Sequence, residues 1–261
     1  MKYMSKRIEL KYLFLIVGLI TLLSFIDPPK KIKVWMIGDS TMCMYGPERT
    51  PLTGWGMPFA VFFESTVQVD NRARGGRSTR TFISENRWQP ISDSMQAGDY
   101  VLIQFGHNDE AKEEKYKDRY TTPEDYRKNL IRFITETRNK NAFPVLITPV
   151  SRMRFDKEGK ALETHVEYSA IVAEVAKQQN VPLINLDKES RELYQKLGAE
   201  ATKLLFMQLE PGEHPFYPEG SKDNTHFNEL GARKMAQIVL ADIRSLDLEL
   251  AKRIVVRTTT K

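Results

Sequence analysis

Short apolar runs bounded by turn residues recur along this chain, and between them lie stretches with apolar residues three and four apart. Five runs read as strands: KVWMIG (33–38), TVQVDN (66–71), DYVLIQF (99–105), FPVLITP (143–149) and VPLINL (181–186). Runs of this length, mostly apolar without strict alternation, suit strands covered on both faces. Helical patterns fall at 57–65, 86–96, 123–140, 164–180 and 228–246. In 123–140, Pro123 stands near the first helical position and Leu130, Phe133 and Ile134 form an apolar stripe. Alternation of strand and helix predicts an α/β fold, a three-layer α/β/α sandwich around a five-stranded parallel sheet, in one domain spanning 32–250. Ligands bind such sheets beyond the carboxyl ends of the strands. Segment 106–122, which is highly charged, and segment 206–227, rich in Pro, Gly and His with little regular pattern, read as loops at or near those ends or helix starts, where function concentrates.

Composition adds two points. Hydrophobic residues make up 41% and charged residues 28%, the balance of a globular protein. The net charge of +5 is concentrated at the N-terminus, where Lys2, Lys6, Arg7 and Lys11 face a single Glu9. The remainder is close to neutral and has no basic run interleaved with aromatics, so nucleic acid is not an expected partner. The basic start leads into YLFLIVGLITLLSFI (12–26), a charged region followed by an apolar region. Residues 1–26 are therefore expected to be a signal peptide and the protein to be exported, to periplasm or medium, with an uncleaved anchor as the alternative. The single cysteine, Cys43, excludes an intrachain disulfide and reads as a small core residue.

The strand ends carry the chemistry. GDSTM (38–42) follows the first strand and places Ser40 at the sheet edge. NRARGGRSTRTF (71–82) follows the second and offers a glycine pair whose backbone N–H groups could face a ligand. FGHNDE (105–110) follows the third, with Asn108 as an amide donor. SKDNTHFNELGA (221–232) holds Asp223 three residues before His226, ahead of the last helix. Each piece has a plain alternative: a cap, a simple turn or an Asx-turn. Together, at consecutive ends of one sheet, they supply a nucleophile, a base and oxyanion donors, the set that acyl transfer needs.

The four blocks GDST, the second-block glycine, GHND and DNTH, in this order across nearly the whole chain after residue 31, resemble the SGNH (GDSL-type) hydrolase superfamily. GDSTM followed by GWG (54–56), GGRS, FGHND and DNTHF further resembles the rhamnogalacturonan acetylesterase family. The resemblance implies a flavodoxin-like SGNH fold and a serine esterase. Ser40 would be the nucleophile, His226 the base and Asp223 its orienter. The backbone N–H groups of Ser40 and Gly76, with the Asn108 amide, would form the oxyanion hole. The implied substrate is an acetylated polysaccharide, foremost acetylated rhamnogalacturonan in pectin; other carbohydrate acetyl esters, small esters and a non-catalytic glycan-binding role are the alternatives. No cofactor is expected, since the chain has no H-E-x-x-H motif or Cys/His cluster to hold a metal. Arg152 and Arg154 could meet uronate carboxylates at the rim, or be solvated surface charges. Tyr217 could stack on a sugar, while Trp55 is expected in the core. His107 reads as structural, His165 and His214 as surface or loop residues.

Overall fold

The computed structural model of the chain describes residues 31–256. The expected leader, 1–26, lies outside the described residues. The five expected strands form at β1 (Ile32–Gly38), β2 (Val67–Asn71), β3 (Tyr100–Gln104), β4 (Phe143–Ile147) and β5 (Leu183–Ile184). All neighbours pair in parallel, in the order β2-β1-β3-β4-β5. The chain leaves β1 for one flank and returns to the other, so β1 and β3 bracket the switch point where a crevice opens.

The helices described are α1 (Thr79–Ser84), α2 (Gln89–Ser94), α3 (Pro123–Asn139), α4 (Val166–Gln179), α5 (Leu186–Thr202) and α6 (Glu229–Ser245). Successive strand side chains point to opposite faces, so each strand feeds two cores. Trp35, Ile37, Val101, Ile103 and Leu146 meet α1 to α4 through Phe82, Ile91, Phe133 and Val172. Val34, Met36, Leu102 and Ile147 meet α5 and α6 through Tyr194, Met235, Val239 and Ile243. Each such large apolar side chain contributes about 1.5–3 kcal/mol on burial. Thr122 caps α3 by accepting from the Asp125 N–H, and Asn228 caps α6 by accepting from Gly231.

Several expectations are corrected. The helical pattern at 57–65 is only a 3-10 turn, Phe59–Phe62. Its aromatic spacing instead builds an edge-to-face chain, Trp55–Phe59–Phe63, after which Phe63 bridges to Ile254. Of the pattern at 86–96 only Gln89–Ser94 (α2) is helical; α1, not among the expected helices, precedes it, with Asn86 in the left-handed region (φ 54°) between them. Helix α5 was not among the expected elements, because 187–202 is mostly polar. The expected loop 206–227 begins and ends in an antiparallel pair, β6 (Phe206–Leu209) and β7 (Ser221–Phe227). SKDNTHF has no hydrophobic alternation; pairing with β6 and the buried Phe227 hold it extended.

Candidate active site

Ser40 follows β1 on a short turn fixed from beneath. The Oδ1 of Asp39 accepts from the Thr41 N–H (2.9 Å) and hydroxyl (2.8 Å). Gln104 at the end of β3 donates to Thr41 Oγ1 (2.8 Å) and accepts from Trp55 Nε1 (2.6 Å). Trp55 is fully buried, as expected. Gly38 makes this close approach feasible, since a Cβ there would stand 2.5 Å from the Gln104 carbonyl oxygen. Tyr45 Oη donates to the Ser40 carbonyl (2.8 Å).

The turn inside β7 supplies the partners. Asp223 Oδ1 accepts from the N–H groups of Thr225 (2.7 Å) and His226 (3.0 Å), while its Oδ2 lies 2.7 Å from His226 Nδ1. His226 Nε2 lies 2.8 Å from Ser40 Oγ. Burial alone would raise the Asp223 carboxyl, but the His226 ring and the two backbone N–H groups outweigh it and hold the group below its ordinary value. Asp39, beside the serine, goes the other way: burial raises it despite its bonds to Thr41. An ionised Asp223 accepts a hydrogen bond from Nδ1–H of His226, which leaves Nε2 to accept from the serine hydroxyl.

The backbone N–H groups of Ser40 and Gly76 donate to no protein acceptor among the described residues. Gly76 holds φ +78°, a conformation that favours glycine. Gly75 packs against the serine: a Cβ there would stand 3.7 Å from Ser40 Cβ. Asn108 donates one amide hydrogen to the Arg77 carbonyl (3.0 Å), which fixes the amide and leaves its second hydrogen uncommitted. Ser40, Gly76, Asn108, Asp223 and His226 all line one cavity of about 1140 Å³. The arrangement can perform nucleophilic acyl transfer: a hydroxyl on an imidazole, an oriented imidazole, and fixed donors for a developing oxyanion.

The GDSL-like Lipase/Acylhydrolase family profile matches residues 36–234. Rhamnogalacturonan acetylesterase RhgT of Bacillus subtilis is 42% identical over 87% of this chain and 96% of its own length. The probable rhamnogalacturonan acetylesterase YesY of the same organism is 36% identical over 85% and 97%. The chain belongs to the GDSL-like lipase/acylhydrolase family. It is an ester hydrolase by that membership. Among solved structures, the B. subtilis protein YxiM is 26% identical with a TM-score of 0.71, covering 85% of this chain, which spans 59% of that one. A mutant of Axe2, an acetyl-xylooligosaccharide esterase from Geobacillus stearothermophilus, shares the fold at 19% identity (TM-score 0.60, 87% of this chain and 98% of that one).

Of the other residues of this GDSL-family chain, some fall as expected and some do not. Arg152 lines the cavity, but its charge is engaged: Nη1 donates to Thr225 Oγ1 (2.5 Å) and Nη2 lies 3.6 Å from Glu110. Arg154 is exposed at the cavity rim. Tyr217 is outside the cavity wall; its hydroxyl donates to the Arg49 carbonyl (2.9 Å), because the β6–β7 connection folds onto the 47–50 turn. His214 lies on that connection against Phe216 and Tyr217. His165 is not a surface residue: it is 1% exposed, its ring centroid is 4.2 Å from that of His107, and its Nδ1 is 2.9 Å from Glu110. Burial, then His165, holds His107 well below the ordinary imidazole range. Sequence reasoning also missed Tyr116 and Arg119, which line the cavity from the charged 106–122 segment. The only available signal was that a long charged loop follows β3. Among the described residues no group of three or more His, Cys, Asp or Glu side chains is arranged to hold a metal ion, and no helix is long and apolar enough to cross a membrane.

Proposed function

We propose that this chain is a serine carbohydrate O-acetylesterase, with acetylated rhamnogalacturonan as its foremost substrate. The observation that carries the chemistry is the unbroken relay Asp223–His226–Ser40 at 2.7 and 2.8 Å. The similarity to RhgT and YesY over almost their full lengths supports the acetyl ester and the pectic polymer. The size of the cavity supports a polymer segment over a lone small ester.

In this reading Ser40 Oγ attacks the acetyl carbonyl as His226 Nε2 takes the hydroxyl proton. The tetrahedral oxyanion is held by the N–H groups of Ser40 and Gly76 and the uncommitted Asn108 hydrogen. Collapse expels the sugar oxygen, which takes the proton back from His226 and leaves an acetyl-serine. Water, deprotonated by the same imidazole, attacks that ester and releases acetate. Asp223 stabilises the imidazolium in both halves.

The test is acetate release from acetylated rhamnogalacturonan, with acetylated xylan alongside, by wild type and Ser40→Ala. Release from the pectic polymer that vanishes in the mutant is expected. Activity on xylan alone would overturn the substrate, and activity surviving in Ser40→Ala would overturn the mechanism. Export belongs to the same proposal, supported by the basic and then apolar residues 2–26. Cell fractionation of the expressed full chain checks it, with retention in the cytoplasm the contrary result.

A further inference from the structure

Not every cation around the cavity is available to a ligand. Arg77 pairs with Glu85, Arg152 with Glu110 and Thr225, and Lys112 with Glu167. Arg119 differs. No carboxylate among the described residues lies within ion-pair distance of it, and its Nε is buried without a hydrogen-bond partner. Its guanidinium carbon lies 3.8 Å from the centroid of the Tyr116 ring, and a Cβ placed on Gly76 would stand 3.7 Å from its Nη1. A guanidinium with no acidic partner and a buried Nε therefore sits beside the proposed oxyanion donor, packed against an aromatic face. Leaving a buried N–H donor unpaired is costly, and the planar guanidinium fork matches a carboxylate. The acids facing this cavity do not fill that role: Glu110, Glu167 and Asp223 are committed to His165 and Arg152, Lys112, and His226, and Glu48 and Glu113 do not reach Arg119.

We propose that Arg119 is the carboxylate-reading residue of this site, holding the carboxylate of an acidic sugar that bears or directly adjoins the acetyl ester. This rests on the acetylesterase reading above and narrows it: the enzyme selects acidic over neutral polymers through Arg119 rather than through the Arg152 guanidinium. Tyr116 is the platform that holds the fork in plane.

The experiment compares kcat/KM on acetylated rhamnogalacturonan with that on the same polymer after its uronate carboxyls are reduced to alcohols, for wild type, R119Q and R119K. Wild type is expected to prefer the acidic polymer. R119Q should cut that preference by about tenfold or more, through KM, the scale of a lost charge-assisted hydrogen bond. R119K should keep part of it. An equal loss on both polymers would make Arg119 a support for the Gly76 loop and overturn the proposal. So would an unchanged preference in R119Q, or a wild type indifferent to carboxyl reduction; in that last case acetate release still upholds the acetylesterase reading. A wild type that cleaves a small aryl acetate but neither polymer refutes the polysaccharide reading and this subsite with it. If R119Q shows a lowered unfolding midpoint, R119K decides, since it keeps the charge and loses only the fork.

Discussion

His226 Nε2 stands 2.8 Å from Ser40 Oγ, although 186 positions separate the two residues. One belongs to the turn after the first strand of the sheet. The other belongs to a short antiparallel pair outside it. Their contact depends on how the loop after β4 is tied to β7. The Met153 N–H donates to the Asn224 carbonyl (2.8 Å), and Arg152 reaches Thr225.

Activity should fall on the acid side as the imidazole protonates, because a charged ring cannot accept the serine proton. Asp223 is held below its ordinary value and so stays ionised through that range. The acid limb of kcat/KM on an aryl acetate should therefore show a single ionisation. A profile with no acid limb contradicts the role of His226.

Asp223→Asn should keep the fold and lose the chemistry. Its remaining oxygen can still accept from the Thr225 and His226 N–H groups. The new amide, however, donates toward His226 Nδ1 and forces the proton onto Nε2, the wrong tautomer. A loss of about 10⁴ in kcat with a nearly unchanged unfolding midpoint is expected. Activity within tenfold of wild type would remove Asp223 from the relay.

Asn108→Ala removes one oxyanion donor and its tie to Arg77. The expected cost is about 10²–10³ in kcat with KM little changed. A loss confined to KM would mean that the amide binds substrate and does not stabilise the transition state.

Arg152→Met should slow the enzyme even on a small neutral ester, because it frees Thr225 and with it the Asp223 turn. A fall of about tenfold in kcat is expected from such misplacement. Unimpaired turnover of the neutral ester, with a defect only on acidic polymer, would return Arg152 to the carboxylate-binding role expected from the sequence.

Asp109 gives a stability test. It is fully buried, and burial raises its carboxyl to about 7 despite bonds from the Thr79 N–H and hydroxyl. In the folded chain it therefore holds a proton that the unfolded chain has released above about pH 4. Its contribution to stability is full below that point and is lost as pH rises toward about 7. Relative to wild type, Asp109→Asn should gain in unfolding midpoint between pH 5 and pH 8. A difference independent of pH would show that Asp109 is already ionised when buried.

Strand and helix succession was legible because burial on two faces demands apolar runs at strand length, and because caps such as Thr122 and Asn228 are local. The triad was legible for another reason: four short motifs, each ambiguous alone, fell at the strand ends of one sheet. What pattern could not give were elements stabilised by partners distant in sequence. β7 is polar and is extended because it pairs with β6; α5 shows mostly charge on the faces away from Leu186 and Tyr194. The same limit applied to individual charges. Arg152, Arg154 and Arg119 are alike in sequence, and only packing separates one paired through Glu110, one exposed at the rim and one packed against Tyr116 with its Nε buried and unpartnered. The sequence by itself determined which groups can react, since reactivity belongs to side-chain type and local turn. The tertiary structure decided which charges are free and which are spent, since that depends on neighbours brought from elsewhere in the chain.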